Sequence, residues 1–221
     1  SFSHYFLGYI YYSGEYITRD INKAIYYFKN ASNLNNSKAK NNLGVIYKSE
    51  NEVTKNIYWS IEYFEEAIRQ NNDSYSRYNL SRIYYFGINI EKDIKKSIEI
   101  INGETNESFY PAQLFLFFIY SYGNDFTIDK DKSIYYEKLI YELLGIYEIK
   151  YILSNEFNEI EKEKIYQERL YNFLKNYDLE YVSNKNYISD FYHYMIYGTF
   201  PKRKEYKNKR DTHENINEDF Y

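Results

Sequence analysis

The chain has 221 residues, a formal net charge of −4, and 44% apolar against 27% charged side chains, the balance of a folded soluble protein. It contains no cysteine, which excludes disulfides and thiolate metal sites, and its acidic balance carries no general nucleic-acid footprint. Only 8 Gly and 2 Pro stand against 32 Tyr and 15 Phe, so the turn-rich pattern of a sandwich or barrel is missing and helices are expected.

From the N-terminus, Leu7, Gly8, Tyr11, Tyr27, Phe28 and Ala31 recur as Leu43, Gly44, Tyr47, Tyr63, Phe64 and Ala67, at an offset of 36 with no gap. A third copy follows one residue later: Leu80, Ser81, Tyr84, Tyr85, Gly87, Asp93, Ser97 and Ile98. A fourth reads Leu116, Tyr120, Gly123, Asp129, Ser133, Ile134 and Tyr136. An AT-rich coding sequence accounts for abundant Tyr, Asn, Ile and Lys, but not for this matched order.

Each unit reads as two helices. In the first, Leu7, Gly8 and Tyr11 share a helical face, and Gly8 leaves room for a neighbouring helix. Gly14, Gly87 and Gly123 follow the tyrosine by three residues, where a left-handed cap would stop the helix. Asp20, Asn56, Asp93 and Asp129 then stand as N-caps, since their side-chain oxygen accepts from the first free backbone N–H groups. The second helix carries Ala24, Tyr27, Phe28 and Ala31 on one face, with small and large residues alternating. One such hairpin cannot bury its apolar face alone, so stacked neighbours must complete the core.

The pattern Leu-Gly-x-x-Tyr-x-x-Gly, then Asp, then Ala and a Tyr-Phe pair, resembles the Sel1-like repeat, a relative of the tetratricopeptide repeat with a longer loop between its helices. The resemblance covers about residues 3–140. It implies an all-α, right-handed α-solenoid that acts as an adaptor for other proteins. Departures are Glu50 for the loop glycine, Phe117 for the helix glycine, and Ile100-Ile101 and Tyr136-Glu137 for the Tyr-Phe pair. The expected organisation is a repeat array over 1–140, with repeats near 3–38, 39–74, 75–110 and 111–140. An atypical helical cap over 141–199 and a charged, flexible tail over 200–221 complete it.

Beyond the array, "LLGIY" at Leu143–Tyr147 falls at the wrong spacing for a fifth repeat and is read as extending the preceding helix. Glu159–Tyr177 reads as an amphipathic helix, with Ile160, Ile165, Leu170, Phe173 and Leu174 within one broad face. A further helix ends near Gly198. Together these are expected to cover the exposed end of the stack, with a partner-docking helix as the alternative. The tail from Pro201 is basic and then acidic: a solvated tail or linker, or a Lys-Arg localisation or acidic-surface contact. The chain starts at Ser1 without a Met, the start expected of a fragment or processed product. No apolar run reaches the roughly 20 residues a membrane helix needs. The longest, Leu114–Tyr120, suits a buried element.

Reactive chemistry is not legible in the chain. His4, His193 and His213 lack partners at metal-binding spacing, and there is no Gly-rich phosphate loop or G-x-S-x-G elbow. No catalytic residue, metal or cofactor is expected. Five sequons, at Asn30, Asn35, Asn72, Asn79 and Asn106, hint faintly at a secretory compartment. The compartment stays open between cytosol and endoplasmic-reticulum lumen.

In the tetratricopeptide relatives, the positions two before, two after and five after the repeat leucine line the concave groove. Here they are Tyr5, Tyr9 and Tyr12; Asn41, Val45 and Lys48; Tyr78, Arg82 and Tyr85; Leu114, Phe118 and Ser121. Leu114 and Phe118 are expected to be buried, and Tyr12 and Tyr85 are divided between packing and binding. The candidate contact set is therefore Tyr5, Tyr9, Tyr12, Asn41, Lys48, Tyr78, Arg82 and Tyr85. Tyr and Arg dominate binding hot spots, so this face is expected to hold an extended peptide or a partner helix, with Lys48 and Arg82 pairing with acidic groups. The settings are a regulatory scaffold, an adaptor of endoplasmic-reticulum-associated degradation of the kind the family contains, or a module beside a catalytic domain elsewhere. No nucleic-acid partner is expected.

Overall fold

The computed structural model describes residues 1–48, 56–103, 109–123, 127–144, 159–178 and 187–198. Among them are ten helices and no strand: α1 (Phe2–Ser13), α2 (Ile21–Asn33), α3 (Ser37–Lys48), α4 (Ile57–Asn71), α5 (Ser74–Phe86), α6 (Ile94–Asn102), α7 (Tyr110–Tyr122), α8 (Lys130–Leu144), α9 (Glu159–Asn176) and α10 (Tyr187–Tyr197). The first eight form four hairpins, α1–α2 to α7–α8, and successive hairpins pack side by side. This is the all-α solenoid expected. The tail from 199 onward lies outside the described residues, as does everything between Leu144 and Glu159.

The caps work as the sequence indicates. Asp20 accepts from the Lys23 N–H at 3.0 Å, Asp93 from Lys96 at 2.9 Å and Asp129 from Lys132 at 3.1 Å. Asn56 accepts from both Tyr58 and Trp59. Each cap residue also donates its own backbone N–H to the repeat tyrosine's carbonyl in the first helix. These bonds run Asp20 to Tyr11, Asn56 to Tyr47, Asp93 to Tyr84 and Asp129 to Tyr120, at 2.8–3.1 Å. The cap thus starts one helix and satisfies an orphan carbonyl at the end of the other.

Gly14 and Gly87 end their helices in the left-handed region, at φ 67° and 65°. Gly123 departs from that expectation. It is extended, with φ −63° and ψ −165°. A Cβ there would lie 2.0 Å from the Thr127 hydroxyl and 2.4 Å from the Ile119 carbonyl, so close approach and not handedness demands the glycine.

Inside each hairpin the two helices meet through a size match. A Cβ on Gly8 would sit 2.6 Å from the Phe28 ring, and one on Gly44 the same distance from the Phe64 ring. The repeat tyrosines face a second aromatic across the hairpin. Tyr11 stacks on Tyr27 at 5.6 Å, Tyr47 on Tyr63 at 5.7 Å and Tyr120 on Tyr136 at 5.7 Å. Cations cover the other side: Lys23 over Tyr11, Lys96 over Tyr84 and Lys132 over Tyr120. In the second repeat Trp59 takes that place, edge-on to Tyr47.

Between hairpins, apolar clusters run across repeat boundaries. Ala24, Phe28 and Ala31 pack with Ala39, Leu43, Ile46 and Tyr47. Val45, Ile57 and Phe64 pack with Leu80 and Ile83. The largest cluster joins Tyr78, Tyr85 and Ile101 to all of α7 from Leu114 to Tyr120, and to Tyr166, Leu170, Phe173 and Leu174 of α9 and Phe191 and Met195 of α10. The run expected to be buried, Leu114–Tyr120, is buried at every residue.

Gly44→Ala is expected to lower stability by about 1–3 kcal/mol, the range for overpacking a core. The double variant Gly44→Ala/Phe64→Leu should lose less than the sum of the two single changes, because the smaller side chain vacates the clash. Urea unfolding of the four proteins checks this.

Candidate functional site

The first helices α1, α3, α5 and α7 lie next to one another, and the eight candidate residues sit along them. Asn41 is buried, and its Oδ1 accepts from the Ser76 hydroxyl at 3.2 Å and the Asn79 amide at 3.1 Å. It therefore joins α3 to α5. Tyr78 is buried edge-on to Phe115 at 6.0 Å, with the Arg82 guanidinium 5.2 Å from its ring centroid. Tyr85 is buried against Phe115 and Phe118. Burial first, and then Tyr171, push its phenol up to about 12, so it stays neutral at any physiological pH.

Arg82 is 0% exposed. Its guanidinium donates through Nε to the Leu174 carbonyl, through Nη2 to the Lys175 carbonyl at 2.6 Å, and through Nη1 to Asp178 Oδ1 at 2.7 Å. Lys48 Nζ donates to the same Asp178 oxygen. Tyr171 lies edge-on to Phe86 at 5.3 Å and beside Phe118 at 6.0 Å. The first helices of the later repeats therefore hold the C-terminal turn of the chain's own α9. The last carbonyls of a helix have no intrahelical partner and carry the negative end of its dipole, and Arg82 supplies both hydrogen bonds and charge there. Arg169 repeats the device one helix later, donating to the Met195 and Ile196 carbonyls at the end of α10. Tyr177 ties the two helices by donating to Asp190 at 2.6 Å.

Tyr5, Tyr9 and Tyr12 of α1 are only half-buried. Tyr5 and Tyr12 both lean on Phe28, at 6.0 and 6.2 Å, and Arg19 stands over the Tyr12 ring. Burial, then Tyr9, push Tyr5 up to about 12. Tyr9 stacks on Phe6 at 6.1 Å and donates to Glu15 at 3.1 Å. The eight residues thus divide. Asn41, Tyr78, Arg82 and Tyr85 are inside the molecule, Lys48 is nearly so, and the three tyrosines of α1 face solvent in part. Asp178 and Tyr171 belong to the same arrangement and have no repeat signature that would single them out. The amphipathic face of α9 is visible in sequence, but the surface it meets is not: α9 packs on α5 and α7.

Among the described residues, no group of three or more His, Cys, Asp or Glu converges as a metal site. No described helix is long and apolar enough to cross a membrane.

Hairpins stacked through shared cores, with their first helices aligned along one side, define a helical-repeat scaffold. The chain belongs to the Sel1 repeat family, whose model matches residues 1–36, 37–72, 74–100 and 111–136. Two solved structures share the fold. A Sel1 repeat protein from Oxalobacter formigenes is 20% identical, with a TM-score of 0.59, covering 79% of this chain and 72% of that one. The protective antigen c5321 from uropathogenic Escherichia coli strains, described as displaying an SLR fold, is 21% identical with a TM-score of 0.57. That match covers 73% of this chain but only 36% of c5321. No curated protein matches the chain. Sel1 repeat proteins generally mediate protein–protein interaction and are not typically catalytic.

Burial acts to raise the Asp178 carboxyl pKa, but the charges of Lys48 and then Arg82, with their hydrogen bonds, outweigh it and hold the group below its ordinary value. A depressed folded pKa contributes stability that is fully present above the unfolded value and lost as pH falls through the folded one. Asp178→Asn is expected to cost roughly 3 kcal/mol near neutral pH, because it leaves Arg82 charged and buried. The difference from the parent chain should vanish on acidification, as measured by urea unfolding across a pH series.

Proposed function

We propose that this chain is a non-enzymatic interaction adaptor that binds a peptide or partner helix on the concave side of its first helices. The open part of that side is formed by Tyr5, Tyr9 and Tyr12. The observation that supports this reading is the grip of Arg82 and Lys48 on the end of α9. It is an example within the chain of a helix held on this side by aromatic walls, a buried cation and backbone carbonyls. Tyr78, Arg82 and Tyr85 serve that internal contact and Asn41 ties α3 to α5, so a partner meets the α1 end of the same side. There the surface is aromatic and α1 contributes no Asp, Glu, Lys or Arg. Tyrosine offers stiff contact area with a polar tip, which suits an apolar helix face carrying a hydrogen-bonding group opposite the Tyr9 hydroxyl.

Phage-displayed peptides selected on the full chain test this. Tyr9→Ala is expected to weaken the selected peptides about tenfold or more, the scale of a hot-spot loss. Tyr26→Ala, on the exposed side of α2, should leave them unchanged. Equal affinity for the parent chain and Tyr9→Ala would remove the concave-side reading.

A further inference from the structure

On the outer face of α4, Tyr58, Glu62 and Glu65 stand at i, i+4 and i+7 and share one exposed stripe. The equivalent stripe is exposed in α2, α6 and α8 as well. The second hairpin has a neighbour on either side, so this exposure belongs to the repeat and not to an end of the array. The other three stripes each contain a lysine: Lys29, Lys95 and Lys138. That of α4 contains none and joins an aromatic ring to two carboxylates.

Trp59 lies beside it, where the other repeats carry Lys23, Lys96 and Lys132. Trp59 is 47% exposed and Tyr58 75%. The Lys29 ammonium of the preceding hairpin lies 5.6 Å from the Trp59 ring centroid and 5.7 Å from that of Tyr47. The chain thus seats one cation of its own here, and much of the indole stays open. α4 carries Glu62, Glu65 and Glu66 against Arg69, and Glu66 is paired with Lys40. Among the described residues, neither Glu62 nor Glu65 is held by a hydrogen bond or an ion pair.

The geometry points to the outer face of α4 as a docking site for an arginine-bearing segment of a partner protein. The guanidinium lies on the Trp59 or Tyr58 ring, and its N–H groups donate to Glu62 or Glu65. The occupant follows from charge: exposed rings and two unclaimed carboxylates both attract a cation. Arginine fits better than lysine, because its planar fork stacks on a ring and donates to a carboxylate at the same time. An acidic segment would set like charges against Glu62 and Glu65. This face is separate from the surface formed by Tyr5, Tyr9 and Tyr12, and neither reading depends on the other.

Trp59 is the chain's one tryptophan, so its fluorescence reports on this face alone. Titrating the full chain with a short synthetic peptide of alternating Arg and Gly is expected to give a saturable change that weakens as salt is raised. A Lys-Gly peptide should bind more weakly, and a Ser-Gly peptide should not bind. Glu62→Gln/Glu65→Gln is expected to lower the Arg-Gly affinity about tenfold, the scale of lost charge-assisted hydrogen bonds. Tyr9→Ala should leave it unchanged, which separates this face from that of α1. Both glutamates are exposed, and circular dichroism checks that the double variant keeps the fold. No saturable change at low salt overturns the proposal. So does an affinity that Glu62→Gln/Glu65→Gln leaves unaltered, or a Lys-Gly peptide that binds equally well, which would mean that charge alone is read.

Discussion

The first two hairpins rest on one close approach, in which a bulky side chain of the second helix lies on a glycine of the first. Gly8 with Phe28 and Gly44 with Phe64 are the extreme form, with the ring against bare backbone. In the third repeat the equivalent pair is Ser81 and Ile101, both buried, so the first position has grown and the second has shrunk. In the fourth, Phe117 is buried and the equivalent second-helix residue is Glu137. The bulk has moved from one helix to the other. Close-packed interiors tolerate such an exchange because summed volume, more than the identity of either residue, sets the helix separation.

That separation explains the tyrosines. Once the helices are this close, the first-helix Tyr and its second-helix counterpart meet ring to ring, nearly parallel, in the first, second and fourth repeats. A lysine one turn into the second helix covers the outer ring face in the first, third and fourth. The six tyrosines of these pairs are thus architectural.

The contact between α5 and the end of α9 is built on one buried cation. Arg82 lies at a position where the other repeats carry Tyr9, Val45 and Phe118. A guanidinium can satisfy two orphan carbonyls and a carboxylate at once, and the end of α9 offers that combination. The pairing of Arg82 and Lys48 with Asp178 closes the charge balance that burial would otherwise penalise. As a result the first helices of the later repeats are covered by α9, while Tyr5, Tyr9 and Tyr12 of α1 stay partly exposed.

The sequence alone determined the repeat period, the hairpin in each unit, the four caps and the close approach at Gly8 and Gly44. All of these are local or recur at one offset, so a pattern in the chain carries them. Gly123 was legible as a glycine position but not in its reason, because its close contact with the Thr127 hydroxyl exists only in the folded chain. Tertiary structure decided which candidate contact residues face solvent. Arg82, Tyr78 and Lys48 read as groove residues by register, yet what Arg82 meets is a helix end about ninety residues further along the chain. Register predicts which side of a helix a residue occupies. It cannot predict which distant, non-repeating segment will be buried there, since that depends on the shape and charge of two surfaces that exist only after both have folded.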